Sequence, residues 1–450
     1  MIKKIKNLLF DSDFVAPVTI LVMTAILILG FFLRSNDLYT WPRQGATFDE
    51  YAWTWQGINL IQKGVPESWS PHAVYTNVQY VTYQQTNFRL VKPYLEHPPV
   101  FGLVTGSFAL LNGVKDMYSL SLESIRPLAL LLGLFSVVMV YLLVKELYDK
   151  KTAFLSSLLF ATIPTIVIGS RIVQNENFII PFWLLALFFI FKYLKSGRAR
   201  FRNMAAVICG FLALSKVPWI AAGFSIFLIF LFLKKYIDAV KFLGILVPIF
   251  LLFFVYGFYY DGGLFLSLWG LQLNRYDIGF TSIYSLFQKP YLVDRFYLDG
   301  WIYFGWFAFA LLLKDVKKNL LIVLPILSYF LIFLAAIPDE PGHGWYRYPF
   351  YPFLIISIAL FIRNYFSKNL ILTFFFLVLV GTTLFQNTWG QVFGFSYILF
   401  RVLIIAWGFS LAPLFFSFRG VSKWTNFLNW GWIIIFVLLN IWSVMLYNEQ

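Results

Sequence analysis

Residues 14–33 read FVAPVTILVMTAILILGFFL, a run of twenty residues without a charged side chain. A helix of about 20 mostly apolar residues crosses the hydrocarbon core of a bilayer. The run is longer than the apolar core of a signal peptide, and no convincing small-residue cleavage site follows it. We therefore expect it to remain in the protein as the first spanning helix.

The rest of the chain repeats this pattern. Of its 450 residues, 60% are hydrophobic and 12% are charged, against about 45–50% and about 25% in soluble proteins. Thirteen spans of about 20 residues would use roughly 260 residues, which excludes a large soluble domain. The sequence predicts an all-α polytopic membrane protein in which residues 1–450 form one integral-membrane domain. The twelve further apolar runs lie near residues 127–144, 152–169, 176–193, 203–215, 218–233, 239–258, 299–313, 319–337, 348–362, 369–386, 394–417 and 427–446.

The basic residues indicate how the chain is oriented. The formal net charge is +14, with 35 Lys and Arg. If the N-terminus is cytoplasmic, that side holds 21 of these residues in short segments, the much longer opposite side holds 13, and Arg401 lies within a span. Lys and Arg concentrate in cytoplasmic loops. We therefore predict a protein of the inner (plasma) membrane with a cytoplasmic N-terminus and an extracytoplasmic C-terminus. Insertion explains the basic excess, so nucleic acid is not an expected partner.

Two connections on the predicted outer side are long. They cover residues 34–126 and 259–298, whereas the other outer connections are short. Within the first, residues 98–112 (PPVFGLVTGSFALLN) are apolar but too few to span a bilayer. We interpret this run as an interfacial or re-entrant helix. The first outer loop is where we expect the active site.

An acidic pair, Asp49-Glu50, lies early in this loop within the sequence TFDEYAWTWQG (47–57). Neighbouring residues on a helix point about 100° apart, so we do not expect the two carboxylates to have the same role. One would face a polar cavity as a base, while the other binds backbone or a cation. The alternative is a solvated cap at the start of a helix.

A second group, Glu96-His97-Pro98-Pro99, precedes the short apolar helix. The two prolines restrict the backbone and favour an extended conformation in the residue before them. Glu96 and His97 would then be held rigidly at the membrane surface, which suits anion recognition. A proline-started helix with polar flanks is the alternative.

Single cations stand at the predicted outer ends of later spans. Charges near the hydrocarbon are costly and are functional candidates, although snorkelling side chains are the simpler explanation for each one. Together on one face, they would suit a phosphate whose lipid tail lies in the bilayer. These cations are Arg171, Lys216, Arg275 and Arg347.

Arg171 and Glu176 are five residues apart, about 140° around a helix, so they cannot easily share one helical face. We expect Arg171 in a connecting turn and Glu176 in the first turn of the next helix, where a carboxylate favours the helix dipole. Their predicted role is structural, in orienting the first loop.

The sequence requires no cofactor. One cysteine, Cys209, excludes an internal disulfide and a multi-cysteine metal site. The three histidines have no metal-ligand spacing. A divalent metal held by Glu96, His97 and the distant His343 is conceivable but unsupported by any motif.

These motifs, in this order and on one side, resemble those of GT-C-type membrane glycosyltransferases. The resemblance is to the branch that contains protein O-mannosyltransferases and lipid A aminoarabinose transferases, and it includes a topology of thirteen helices. The matching segments are Asp49-Glu50, Glu96-His97-Pro98-Pro99, Arg171 with Glu176, and Arg347-Tyr348-Pro349 with Pro352.

The resemblance implies an inverting transfer of a sugar from a polyprenyl-phosphate carrier to an acceptor on the outer side of the membrane. It implies that Asp49 is the catalytic base and that Arg275 binds the carrier phosphate. His97 stands where aminoarabinose transferases have a phosphate-binding lysine, and the histidine expected near Arg275 is missing. The chain also lacks the large soluble domain of oligosaccharyltransferases, and its Asp-X-Asp sequence, Asp11-Ser-Asp13, lies on the predicted cytoplasmic side, away from the other polar groups.

Chemistry supports the same assignment. A lipid phosphate is a good leaving group that needs electrostatic stabilisation more than a general acid, and an attacking hydroxyl needs one base. We predict Asp49 as the base, with Glu50, Glu96, Arg171 and Glu176 in supporting roles. The predicted donor-phosphate ligands are His97, Lys216, Arg275 and Arg347.

Expected partners are the polyprenyl-phosphate-linked sugar donor, membrane lipids, and an acceptor that is a lipid, glycan or protein. Two other functions fit a polytopic chain. A polymerase or ligase of lipid-linked polysaccharide would also use lipid-linked sugars outside. A transporter of lipid or solute should carry ionisable groups near helix midpoints, whereas most of these spans are free of charge, with Arg401 as the main exception.

Overall fold

The computed structural model describes residues 12–274, 280–287, 299–337, 344–386, 390, 394, 396–416 and 419–449. Each of the thirteen apolar runs coincides with helix in this part of the chain. The predicted polytopic helical fold is therefore confirmed. The α-helices are α1 (Ser12–Ser35), α2 (Asp49–Lys63), α3 (Val100–Leu111), α4 (Leu122–Leu147), α5 (Lys150–Thr162), α6 (Pro164–Gly169), α7 (Asn175–Ser196), α8 (Ala199–Ala213), α9 (Ile220–Phe232), α10 (Tyr236–Leu273), α11 (Phe280–Ser285), α12 (Gly300–Leu312), α13 (Leu320–Ala336), α14 (Tyr351–Asn364), α15 (Leu370–Leu384), α16 (Tyr397–Gly408), α17 (Ala412–Phe415) and α18 (Arg419–Met445).

The helices differ in length and in burial. Within the described residues, 7 helical segments of at least 18 residues are apolar enough to cross a membrane on length and composition. The other six predicted runs form helices of 13 to 17 residues, one of which, α5, is continued by α6. The span that contains α14 is 89% buried, whereas those of α10 and α16 are 22% and 17% buried. The bundle therefore has a central helix and an outer ring whose exposed apolar side chains suit a lipid environment.

The longest helix, α10, reverses its direction near one end. At Asp261 the backbone leaves the helical conformation, with φ −164° and ψ 98°. Phe265 then packs edge-on against Phe253 at 5.1 Å, and Trp269 stacks on Phe254 at 5.3 Å. The second predicted outer loop therefore begins with a helical segment that folds back along the span.

The first loop holds α2, α3 and a small sheet that we did not predict. Its antiparallel strands are β1 (Ser68–Trp69), β2 (Val78–Tyr83) and β3 (Thr86–Val91), in the order β1-β3-β2. Tyr83 pairs with Thr86 across a two-residue turn. The run that we interpreted as an interfacial or re-entrant helix corresponds to α3, which at 12 residues is too short to span. The acidic pair begins α2, the other helix of this loop.

Glycine allows α2 and α3 to pack in backbone contact. A Cβ atom on Gly57 would lie 1.8 Å from the carbonyl oxygen of Gly102, and one on Gly106 would lie 2.6 Å from the backbone of Gly57. No larger side chain fits at these positions. This contact fixes the start of α2 relative to the segment that precedes α3.

Loops that we predicted on the same side meet at the same end of the bundle. At one end, Glu146 pairs with Lys192 at 2.7 Å, and Asp149 pairs with Arg363 at 3.5 Å. At the other end, which carries the first loop and which we call the first-loop end, Arg43 pairs with Glu449 near the C-terminus at 2.8 Å.

Candidate active site

Asp49 is the first residue of α2 and lies at the first-loop end. Gln174 donates a hydrogen bond from Nε2 to Asp49 Oδ2 at 3.3 Å and another to Thr47 Oγ1 at 2.9 Å. The backbone amide of Asp49 donates to the same Thr47 hydroxyl at 3.2 Å. The carboxylate is half-buried and lines a cavity of about 580 Å³, which we call the main cavity.

Glu50 points away from this cavity. Its side chain is fully buried and accepts two hydrogen bonds from Arg126, from Nε at 3.1 Å and from Nη2 at 3.0 Å. Glu50 also accepts from the amide of Val173, and Arg126 donates to the carbonyl of Leu38. Glu50 therefore joins the first loop to α4 and to the turn before α7. The two adjacent carboxylates have different surroundings, as their helical spacing predicts.

Lys216 supplies a cation to the main cavity. It lies between α8 and α9, is buried, and donates from Nζ to Glu176 Oε1 at 2.9 Å. The ammonium lies 4.7 Å from the centre of the Tyr346 ring and 5.9 Å from that of Trp53. Burial lowers the pKa of Lys216, but the charge of Glu176 and other negative groups outweigh it and raise the pKa above its usual value. Lys216 is therefore positively charged at neutral pH.

Glu96 and two histidines form another part of the wall of the main cavity. Glu96 accepts a hydrogen bond from Ser70 Oγ, and its Oε2 lies 3.7 Å from Nε2 of His72. The ring of His97 packs against Trp53 with centres 4.7 Å apart. Gln56 donates to the carbonyl of His97 at 3.1 Å, which fixes the segment before the two prolines to α2.

The remaining wall is largely apolar. The folded-back part of α10 contributes Leu268 and Trp269, and the end of α13 contributes Ala335 and Ala336, followed by Ile337. The main cavity thus joins two carboxylates, Asp49 and Glu96, and one buried ammonium to a largely hydrophobic wall. Such a cavity can hold a molecule with an anionic group and an apolar chain, next to a group that can take a proton.

Comparison with known proteins bears on the fold. Residues 96–259 match a family model described as dolichyl-phosphate-mannose-protein mannosyltransferase. The structure is similar to ArnT from Cupriavidus metallidurans bound to undecaprenyl phosphate, with a TM-score of 0.56 and 14% identity over 95% of this chain and 77% of ArnT. The chain has the GT-C fold. The resemblance to the branch with O-mannosyltransferases and ArnT is confirmed.

A second GT-C structure extends the comparison. The Archaeoglobus fulgidus oligosaccharyltransferase in its apo form has a TM-score of 0.54 and 12% identity, over 96% of this chain and 56% of the oligosaccharyltransferase. The chain thus spans little more than half of that protein. No curated protein sequence matches the chain.

Not all of the predicted site residues of this GT-C chain meet at the main cavity. Arg171 lies in the turn before α7, and Glu176 lies in its first turn, as their spacing predicts. Arg171 does not line the cavity but donates to the carbonyls of Leu33 and Trp41, at 2.9 and 3.4 Å. Arg171 therefore does not meet Lys216 at the main cavity, and its supporting role stays a prediction.

For two further cations, Arg347 and Arg275, binding of the donor phosphate remains a prediction. Arg347 is buried in a 3₁₀ segment, Gly344–Phe350, whose residues Trp345 and Tyr346 line the main cavity while Arg347 does not. Arg275 lies outside the described residues.

The described residues contain no group of three His, Cys, Asp or Glu side chains that could hold a metal ion. Glu96 is paired with His72, and His343, the third member of the conceivable metal site, lies outside the described residues. A metal site at Glu96, His97 and His343 remains unsupported.

The structure brings four further residues to the site that we did not predict. Gln174 contacts Asp49, Arg126 holds Glu50, His72 pairs with Glu96, and Tyr346 lies over Lys216. A signal existed for Gln174, which lies between Arg171 and Glu176 in a polar segment next to a span. No sequence pattern marks the other three.

Proposed function

We propose that this chain is an inverting glycosyltransferase that moves a sugar from a polyprenyl-phosphate carrier to an acceptor at the extracytoplasmic face of the membrane. The observation that carries the proposal is the placement of Asp49 and Lys216 in the wall of one cavity. A carboxylate that can take a proton and an ammonium that can bind a phosphate are the two charges that this reaction needs.

In the proposed reaction, an acceptor hydroxyl attacks the anomeric carbon from the side opposite the phosphate. A bond forms between the acceptor oxygen and the anomeric carbon, and the bond between that carbon and the phosphate oxygen breaks. The hydroxyl proton passes to the carboxylate of Asp49, and the carrier phosphate leaves as an anion beside Lys216. General-base assistance of this kind contributes about 10²–10⁴-fold to the rate.

The lipid chain of the donor would lie along the apolar wall formed by α10 and α13. Leu268, Trp269 and Ile337 belong to this wall. The similar ArnT structure contains undecaprenyl phosphate, which supports a polyprenyl phosphate as the carrier here. His97, Arg275 and Arg347 are further candidates for the phosphate, and Glu50, Glu96, Arg171 and Glu176 are proposed to hold the site in position.

We propose the following topology for this activity. Residues 1–450 act as one integral domain of the inner membrane, with a cytoplasmic N-terminus and the C-terminus outside. The first-loop end is then the extracytoplasmic end, because the opposite end carries the basic loops that concentrate in the cytoplasm. Residues 34–126 form the first outer loop, which supplies the base, and residues 259–298 form the second outer loop. The acceptor is a lipid, glycan or protein.

Asp49→Asn is the variant that tests the catalytic assignment. We expect transfer to fall by about 10²–10⁴-fold, while donor binding and membrane insertion are retained, because Asn keeps the shape of Asp but cannot take the proton. The control is Asp37→Asn, the same change at a first-loop residue that does not line the main cavity. Asp37 has φ 51°, which Asn tolerates. Near-normal turnover by Asp49→Asn would refute the assignment.

The donor class needs a separate experiment. The purified protein is incubated with short-chain polyprenyl-phosphate hexoses and pentoses and with a polyprenyl-diphosphate oligosaccharide, and mass spectrometry records which donor is consumed. We expect only a monosaccharide phospholipid to be cleaved. Consumption of the oligosaccharide alone would favour a polymerase or ligase, and consumption of none by folded protein would count against an enzyme.

A further inference from the structure

A second cavity lies beside the main cavity at the first-loop end. Its volume is about 610 Å³. We call it the amide cavity, because three of its nine lining residues are glutamines. It is lined by Gln44, Gly45, Phe48, Tyr51, Tyr83, Gln84, Gln85, Thr86 and Phe88.

The amide cavity has no charged side chain in its wall. Each glutamine amide offers two N–H donors and an oxygen that accepts, so it can bind a hydroxyl group in either direction. Beneath the exposed glutamines lie buried rings of Tyr51, Tyr83 and Phe88. Neutral hydrogen-bonding groups above aromatic rings suit a saccharide. A phosphorylated ligand would lack a cation to pair with.

The rim of this cavity has an unusual backbone. Gln84 and Gln85 form the turn between β2 and β3, with φ angles of 48° and 64°. A two-residue turn with two positive φ angles strongly favours Gly, Asn or Asp, so glutamine is conformationally costly at both positions. Strained residues of this kind cluster at functional sites. The two strained glutamines therefore point to this turn as a functional site.

The two glutamines of the turn differ in their contacts. Gln84 accepts from the hydroxyl of Tyr51 at 2.8 Å and donates to that of Tyr83 at 3.2 Å, so it is held in place. The side chain of Gln85 is exposed and has no hydrogen-bond partner among the described residues. Gln85 is thus the turn residue whose amide can bind a ligand without breaking an internal contact.

The amide cavity shares a wall with the main cavity. Gly45 and Phe48 line both cavities, and Phe48 directly precedes Asp49. Gly45 has φ 79°, which a residue with a side chain rarely adopts. A molecule held in the amide cavity lies next to the segment that presents Asp49.

We propose that the amide cavity binds the acceptor and that the acceptor is a neutral saccharide. This assignment rests on the proposed function. The attacking hydroxyl is then a hydroxyl group of an uncharged sugar. The oxygen of this hydroxyl bonds to the anomeric carbon of the donor, and the hydroxyl proton passes to Asp49. Gln85 would be a specificity residue that contacts this sugar.

The test compares three variants in the turn and in its flanking strand. Gln85→Gly removes the amide and relaxes the positive φ, so the fold should be retained. Gln85→Asn keeps an amide in a residue that tolerates this conformation. Asn87→Ala is the matched control, since Asn87 is an exposed amide on β3 that does not line the cavity.

Binding is measured by saturation-transfer NMR with the full chain in nanodiscs, using methyl α-mannopyranoside, methyl α-glucopyranoside and methyl β-galactopyranoside. We expect at least one glycoside to bind, with affinity about tenfold lower in Gln85→Gly, as for loss of one hydrogen bond. Affinity should be near normal in Gln85→Asn and unchanged in Asn87→Ala. If no glycoside binds, or if Gln85→Gly does not lower the affinity of the glycoside that binds, the proposal is overturned.

Transfer is measured separately with the donor that the protein consumes, and with three classes of acceptor: these glycosides, a serine-containing peptide, and lipid A. Product on a glycoside, with a raised KM and similar kcat in Gln85→Gly, supports the proposal. Product on only the peptide or lipid A would overturn the acceptor assignment and leave the proposed function standing. Glycoside binding that depends on Gln85, without consumption of any donor, would support the saccharide site and count against the proposed function.

Discussion

The two ends of the helix bundle hold ion pairs of similar length in different surroundings. At the first-loop end, Glu50 meets Arg126 at 3.0 Å, and both side chains are at most 1% exposed. At the opposite end, Glu146 meets Lys192 at 2.7 Å, with side chains 23% and 29% exposed. Contact distance therefore does not distinguish these two pairs, but burial does.

Burial changes how much the loss of one partner of an ion pair costs in stability. An exposed pair contributes about 0–1 kcal/mol, because water competes for both charges. Removing one partner of a buried pair costs about 3–5 kcal/mol, because the remaining charge has lost its water and its partner. The charges at the opposite end lie in the short basic loops that we predict to be cytoplasmic. Those at the first-loop end hold backbone segments around the main cavity.

The largest expected effect comes from breaking the buried pair. We expect Arg126→Met to reduce the free energy of unfolding by about 3–5 kcal/mol, because it leaves the carboxylate of Glu50 buried and unpaired. Lys192→Met, the matched change at the opposite end, should cost about 0–1 kcal/mol. Chemical unfolding of the detergent-solubilised protein measures both.

A double variant separates the stranded charge from lost packing. Glu50→Leu with Arg126→Met removes both charges and should recover most of the stability lost in Arg126→Met alone. If the double variant is as unstable as the single one, the stability comes from the contacts of Arg126 with Leu38 and its neighbours rather than from the pair.

The next effect concerns the contact between α2 and α3. We expect Gly57→Ala to destabilise the protein by about 1–3 kcal/mol, as overpacking does, since the new Cβ would meet the carbonyl oxygen of Gly102. Gly244→Ala is the control, because a Cβ there meets nothing within 4 Å and alanine favours a helix interior. Equal stability of the two variants would contradict the proposed backbone contact.

The same two ends differ in how far the sequence predicts them. Hydropathy predicts the positions of all thirteen helices, and the distribution of basic residues predicts which loops lie together at the opposite end. Both signals come from residues that are close together in the sequence. The different surroundings of Asp49 and Glu50 also follow from helical geometry. These inferences need only local information.

The buried pairs of the first-loop end could not be predicted in this way. Glu50 and Arg126 are separated by 76 residues, and Glu176 and Lys216 by 40. Their pairing depends on how the helices pack, which hydropathy does not specify. The sheet was missed because its strands are short and its β2 strand is largely exposed, so that no alternating apolar pattern marks it.

A third prediction concerns the charge of Lys216. We expect the double variant Lys216→Met with Glu176→Leu, which strands no buried charge, to raise KM for the donor about tenfold, because hydrogen bonds to charged groups are worth about 1.5–3 kcal/mol. The double variant Arg202→Met with Asp238→Leu removes a pair of equal length, 2.9 Å, away from the main cavity. It should leave KM unchanged. Equal KM values in the two double variants would show that Lys216 does not bind the donor phosphate.

The smallest effect is expected at Asp149, the cap of α5 at the opposite end. Its carboxylate accepts from the amide of Thr152 at 2.9 Å and lies near Arg363. Burial raises the pKa of Asp149, but the hydrogen bonds from Thr152 and the charge of Arg363 outweigh it and lower the pKa below its usual value.

A lowered folded-state pKa means that the charge stabilises the fold above the unfolded pKa, near 3.9, and that this contribution is lost as the pH falls through the folded value. Asp149→Asn keeps the cap but cannot titrate, so the wild-type Tm should drop toward that of Asp149→Asn as the pH falls from about 5 to below the folded-state pKa. Asp149→Ala also loses the cap and should cost about 1 kcal/mol at neutral pH. A Tm difference between wild type and Asp149→Asn that is independent of pH would show that the carboxylate at this end acts only through its shape.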